Sequence, residues 1–186
     1  MRLNPTELMT PDEISAFISE DVYIDFEDWS ACKIIYLFTK RHDVKTADLV
    51  KLTGLSYEEV ELIRFTEDYK KKLDSRSINI DHVIAVLIAL RMPYYYSEIV
   101  LKRYAFCFGS MKSRDWWPKH FLVHCSHDTI ATVESCNYAL IAEDYNPLTP
   151  LVPRLGRDER LSLTSYIAES QKTRNLLNIL DNLDDN

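Results

Sequence analysis

The chain has 186 residues, 46% of them hydrophobic, and a formal net charge of −7. That length supports one medium domain, or a domain with a sizeable appendage, and only three glycines argue against a sandwich or barrel with its many tight turns. No run approaches the roughly 18 consecutive apolar residues of a membrane span, and MRLNPTELMTPDE lacks the basic start and apolar run of a secretory signal. Four cysteines (Cys32, Cys107, Cys125, Cys136) form no CxxC pair or regular framework, so reduced thiols in a cytoplasmic protein are expected. The charge is unevenly spread. Arg2 faces Glu7, Asp12, Glu13, Glu20, Asp21, Asp25, Glu27 and Asp28, which together equal the whole net charge and leave the rest of the chain balanced.

In chain order, Thr10-Pro11-Asp12-Glu13 predicts a helix start with an N-cap, a first-turn proline and a capping box, followed by Ile14, Phe17 and Ile18 on one face. VYIDF at 22–26 is expected to be an extended strap. A helix over about 30–41 buries Ile34, Ile35, Leu37 and Phe38. TADLVKLTGLSYEEVELIRF at 46–65 predicts two short helices joined at Gly54-Leu55, with Leu49, Val50, Leu55, Val60 and Ile63 between them. Ser56 and Glu59 form a capping box for the second helix, which is expected to continue to Lys72, with a loop at 74–77. The apolar stretch 79–91, capped by Asn79 or Asp81, is expected to be a central helix, and Pro93 starts another to about Phe106. Pro118 then begins a helix, Asp128 caps the next, and Tyr145 to Gly156, with three prolines, is a connector. The last helix, about 158–183, carries Leu176, Leu177, Leu180 and Leu183 as a stripe that packs on the body or on a second copy.

Five helices from Ser30, with Thr53-Gly54-Leu55-Ser56 at the turn and IDHVIAVLIALRMPYYYSEIVLKRYAF as the fourth and fifth, resemble the lambda-repressor-like, or xenobiotic-response-element, helix-turn-helix family over about 30–106. Val50 stands where that family often has a small residue and Thr53 where it often has an apolar one. More narrowly, the stretch through Phe108 and DTIATVESCNYAL is similar to a group of uncharacterised bacterial helix-turn-helix proteins with a helical extension. The expected architecture is all-α: an acidic helix and strap at 1–29, a five-helix lambda-repressor-like domain at 30–108, a helical extension at 109–146, a Pro-rich connector at 147–157 and an amphipathic helix at 158–186.

The resemblance implies a DNA-binding transcriptional regulator. Thr46 would approach the backbone, Tyr57, Glu58 and Glu61 would face base edges, and Lys51 and Arg64 would hold phosphates, with Lys70, Lys71, Lys72 and Arg76 further on. The residues themselves favour a different use. The leading positions carry carboxylates where Arg, Lys, Asn or Gln make the common base contacts, and Leu62, Phe65 and Tyr69 form a stripe suited to protein contact or to cover by the acidic N-terminus. Two partners therefore stay open, duplex DNA and another protein or a second copy.

His120, His124, Cys125 and His127, with Cys136 further on, have spacing that suits zinc, but no second ligand pair of recognised spacing accompanies them. Histidines near a helix end are more often solvated or hydrogen-bonded, so no metal or other cofactor is assigned. A cysteine near histidines is the minimum for a thiol enzyme, yet no Gly-rich phosphate loop, GxSxG elbow or paired-carboxylate motif is present, and the expectation is a non-enzymatic protein.

Overall fold

The structure, a computed structural model, describes residues 29–64, 78–109, 113–152 and 154–184. The expected N-terminal helix and strap, Phe65 and Tyr69, and the basic run from Lys70 to Arg76 lie outside these residues. Eight helices are described: α1 Ala31–Arg41, α2 Thr46–Thr53, α3 Tyr57–Arg64, α4 Ile80–Ala89, α5 Tyr94–Arg103, α6 Trp116–His124, α7 Val133–Ala142 and α8 Arg157–Asp184. No strand occurs among the described residues, and no helix there is long and apolar enough to cross a membrane.

Local chemistry sets several helix ends where the sequence predicts them. Gly54 closes α2 in the left-handed region at φ 70°, which only glycine enters without strain. The Ser56 amide donates to Glu59 Oε2 at 2.8 Å and the Glu59 amide to Ser56 Oγ at 3.3 Å, a reciprocal box that starts α3. Asn79 Oδ1 accepts the Asp81 amide at 3.0 Å ahead of α4.

With so few glycines, four other helix ends use residues with a Cβ. Asp43, Arg91, Ala105 and Asp144 have φ of 48°, 51°, 54° and 61°, a conformation that costs about 1 kcal/mol or more each. At Arg91 the side chain compensates. Its guanidinium donates to the carbonyls of Cys125 (3.1 Å), Asp128 (3.3 Å) and Thr129 (3.4 Å), placing a cation at the C-cap of α6 and the turn that follows it.

The centre of the molecule is α4, whose Val83 to Ile88 are all buried. Such side chains contribute about 1.5–3 kcal/mol each when removed from water. α1 packs on α3 and α5; α2 packs on α3, α4 and α7; α6 packs on α4, α5 and α7. One continuous apolar core runs from Trp29 to Ile167 and so crosses residues 108 and 146, where the sequence suggests divisions.

Three expectations change and one is sharpened. α6 starts at Trp116, two residues before Pro118, which the first turn accepts because its missing N–H has no partner there anyway. Asp128 instead takes the Ile130 amide at 2.9 Å in a turn, and Thr132 caps α7 by accepting the Ser135 amide at 3.1 Å. The stretch 145–152 leads from α7 toward α8 without helix, as a connector should, and is packed down, with Leu148 and Thr149 buried. The leucine stripe is split: Leu177 packs against the core while Leu176 is 62% exposed, because adjacent residues diverge by about 100° on a helix. Leu180 and Leu183 belong to α8, with their side chains outside the described set.

Candidate functional site

The α2–α3 pair is built by its turn and its buried seam. Leu49, Leu55, Val60 and Ile63 are buried, while Val50 is partly exposed. Around this seam the polar residues split into two sets.

Thr46, Glu61 and Arg64 point inward, each 9% exposed or less. Arg64 Nη1 donates to Thr46 Oγ1, and Thr46 in turn donates to Glu61 Oε1. Arg64 Nη2 donates to Thr39 Oγ1 at 3.2 Å, and Glu61 lies 3.7 Å from the guanidinium. Burial pulls the Arg64 guanidinium below its ordinary range, and the Glu61 carboxylate opposes that pull. This is a closed polar chain joining α1, α2 and α3. It corrects the expectation that Glu61 faces base edges, Arg64 holds a phosphate and Thr46 meets a backbone, because all three side chains are occupied in the interior.

Lys51, Tyr57 and Glu58 are exposed, as is Leu52. Leu62 is partly exposed. Among the described residues Lys51 is the single exposed cation within the two helices, with Lys45 exposed at the N-cap of α2.

The turn itself is covered from the C-terminal side. Asn137, fully buried on α7, accepts the Leu148 amide at 2.9 Å and donates to the Thr149 carbonyl at 3.2 Å and the Leu151 carbonyl at 3.1 Å. This pins residues 148–151 as a strap that lies on Gly54. A Cβ added there would sit 2.8 Å from Leu151 Cβ, so the position needs glycine for space as well as for φ. Next along the strap, Val152 is 69% exposed, and on the pair itself Leu52 is 49% and Tyr57 59% exposed. Sequence reasoning missed the strap. Its one visible signal is an amide, Asn137, on the apolar face of VESCNYALIA.

The histidines do come together, without their thiols. His120 stacks on Trp116 with ring centroids 5.5 Å apart and lies 4.5 Å from His124 and 5.6 Å from Tyr166 of α8. His124 Nδ1 is 3.2 Å from His127 Nε2. Ser170 Oγ donates to the Tyr166 carbonyl at 2.9 Å, which leaves it to accept from His120 Nε2–H at 3.0 Å and assigns that tautomer to the neutral ring. Burial first, then the neighbouring His124, holds His120 down to about 4, with Asp128 pulling the other way. Burial and His127 likewise hold His124 below its ordinary value.

Cys125 is fully buried on the other side of α6, its thiol donating to the Leu122 carbonyl at 3.3 Å and pushed up to about 12 by burial. Cys136 is also fully buried, its thiol pushed well above the usual range. Neither joins the imidazoles, and no group of three or more His, Cys, Asp or Glu able to hold a metal occurs among the described residues.

No protein-family model matches the chain, and no curated protein or solved structure matches it either.

Proposed function

We propose that the chain is a non-enzymatic interaction module, in which a degenerate helix-turn-helix of the lambda-repressor-like kind meets protein rather than reading duplex DNA. The observation that carries this reading is the inward closure of Arg64, Thr46 and Glu61, which among the described residues leaves Lys51, and Lys45 at the N-cap of α2, to offer positive charge from the pair. Phosphate contact by Lys and Arg supplies most of the affinity of a DNA reader. What the pair exposes instead is Leu52 and Tyr57, an aliphatic and an aromatic, with the Glu58 carboxylate and with Val152 exposed on the strap. Buried aromatics anchor protein interfaces, whereas carboxylates repel phosphate. A raised, enclosed Cys125 thiol is a poor nucleophile, in keeping with a non-enzymatic role. Four free cysteines suit the cytoplasm.

The second reading, a DNA-binding transcriptional regulator, rests on the resemblance and on Lys51, Tyr57 and Glu58, which remain exposed. Affinity for duplex DNA across a salt series separates the two. The interaction reading predicts no salt-sensitive binding even at low ionic strength. Binding that falls log-linearly with salt, with the slope of several released counterions, overturns it.

A further inference from the structure

α8, 28 residues long, is held to the body by side chains along one stripe. None of the closely packed helix pairs includes it among the described residues. Leu163, Ile167 and Ser170 are buried, Gln171 donates to Glu143 Oε1 at 3.1 Å, and Arg174 pairs with Glu143 at 3.0 Å. Thr164, Ser165, Ala168, Glu169, Lys172 and Thr173, between them, are exposed. A helix held by so few buried contacts opens more readily than the core helices.

The middle of the stripe rests on His120. Its ring stacks on Trp116, lies edge-on to Trp117 at 5.9 Å and to Phe121 at 5.8 Å, and meets Tyr166 of α8 at 5.6 Å. The Nε2–H bond to Ser170 is its one hydrogen bond among the described residues, so a proton added at Nδ1 finds no acceptor there. Trp116 also carries the Arg174 guanidinium of α8, 5.7 Å from its ring centroid. Charging His120 would therefore set two cations on one indole, one from each helix of the α6–α8 seam.

Other charged and titratable groups surround the seam. His124 lies 4.5 Å from the His120 ring, with His127 behind it. Asp128, in the turn after α6, favours the charged ring. From α7 comes Glu143, engaged with Arg174 and Gln171; from the end of α4 comes Arg91, engaged with the carbonyls of that turn. On α8 itself, Glu169 and Lys172 pair with each other at the surface.

We infer that α8 is an acid-released arm: protonation of His120 undocks it from α6 while the body of the protein stays folded. Burial, then His124, holds the docked ring down to about 4, against 6.5 for a solvated imidazole. Docking is therefore complete above about pH 6.5 and weakens as pH falls toward 4, because the released ring takes the proton that the docked one refuses. The body keeps its own core around α4, which packs on α2, α3, α5, α6 and α7. Release uncovers the Trp116, His120 and Phe121 rings that Arg174 and Tyr166 now cover.

Amide hydrogen exchange on the full chain, with intrinsic rates divided out, reads arm and body separately. Residues 163–174 are expected to be less protected than α4 at both pH 7 and pH 5, and to lose about tenfold in protection between them. In His120→Gln, which is neutral at both pH values, that loss disappears. Equal protection in α8 and α4 at both pH values overturns the inference, because α8 then opens only when the whole protein unfolds. So does α8 protection that acid leaves unchanged, or the same loss in His120→Gln. If the substitution lowers helical content at pH 7, the comparison of α8 with α4 in the unaltered chain still decides.

Discussion

Two regions of this molecule bury polar groups in opposite ways. Between α1, α2 and α3, the Thr39–Thr46–Glu61–Arg64 chain keeps its charges and neutralises them against each other. Between α6 and α8, desolvation holds the imidazoles of His120 and His124 below their ordinary values, helped by His124 for the first ring and by His127 for the second, and a serine hydroxyl meets His120. An internal ion pair is insensitive to moderate pH but intolerant of losing one member. A desolvated imidazole tolerates exchange for another neutral group and is sensitive to acid.

The largest expected effect comes from breaking the ionic chain on one side. Arg64→Met leaves the Glu61 carboxylate buried without its counter-ion, held only by the Thr46 hydroxyl, and should cost about 3–5 kcal/mol in denaturant unfolding. Adding Glu61→Leu should recover much of that loss, since replacing both members with apolar groups is often neutral. A double variant no more stable than Arg64→Met would show that the chain contributes more than mutual neutralisation.

Acid gives the next effect. His120 is held at about 4 against an ordinary value of 6.5, so between these pH values the unfolded chain binds the proton that the folded one refuses. The stability tied to the neutral ring is therefore complete above about pH 6.5 and is lost as pH falls toward 4, by about 2 kcal/mol after discounting for partial solvent screening. His124 adds a smaller loss in the same direction. Unfolding free energies measured across this window should show it. The smallest effect sharpens the contrast: His120→Gln, neutral at every pH, should flatten the stability profile between pH 6.5 and 4 by an amount matching the His120 share. An unchanged slope would move the acid sensitivity to other groups.

Legibility in the sequence followed distance along the chain. The left-handed Gly54, the Ser56–Glu59 box and the Asn79 cap join residues within four positions of each other, and their geometry follows from residue type and spacing alone. The apolar periods of α1 and α4 are equally local, and so the all-helical class was readable. The helix start that moved from Pro118 to Trp116 and the cap that moved from Asp128 to Thr132 are cases in which two residues a few positions apart were both chemically able and local rules did not rank them.

The candidate site was least legible where its partners are distant. Helical periodicity assigns charged residues to the solvent side, because burying a lone charge is costly. Glu61 and Arg64 break that rule together, and they can do so only because Thr46 and Thr39, 15 and 25 positions away from their respective partners, arrive on other helices. The same holds for Asn137 and its strap, and for Cys125, which shares a short stretch with three histidines yet faces the opposite side of α6. Sequence by itself determined the helices, their turns and the caps with one able residue, since those depend on backbone groups left unsatisfied within one turn. Only the tertiary structure decided which polar side chains face inward, because desolvating them is tolerable solely when partners from distant segments meet them there.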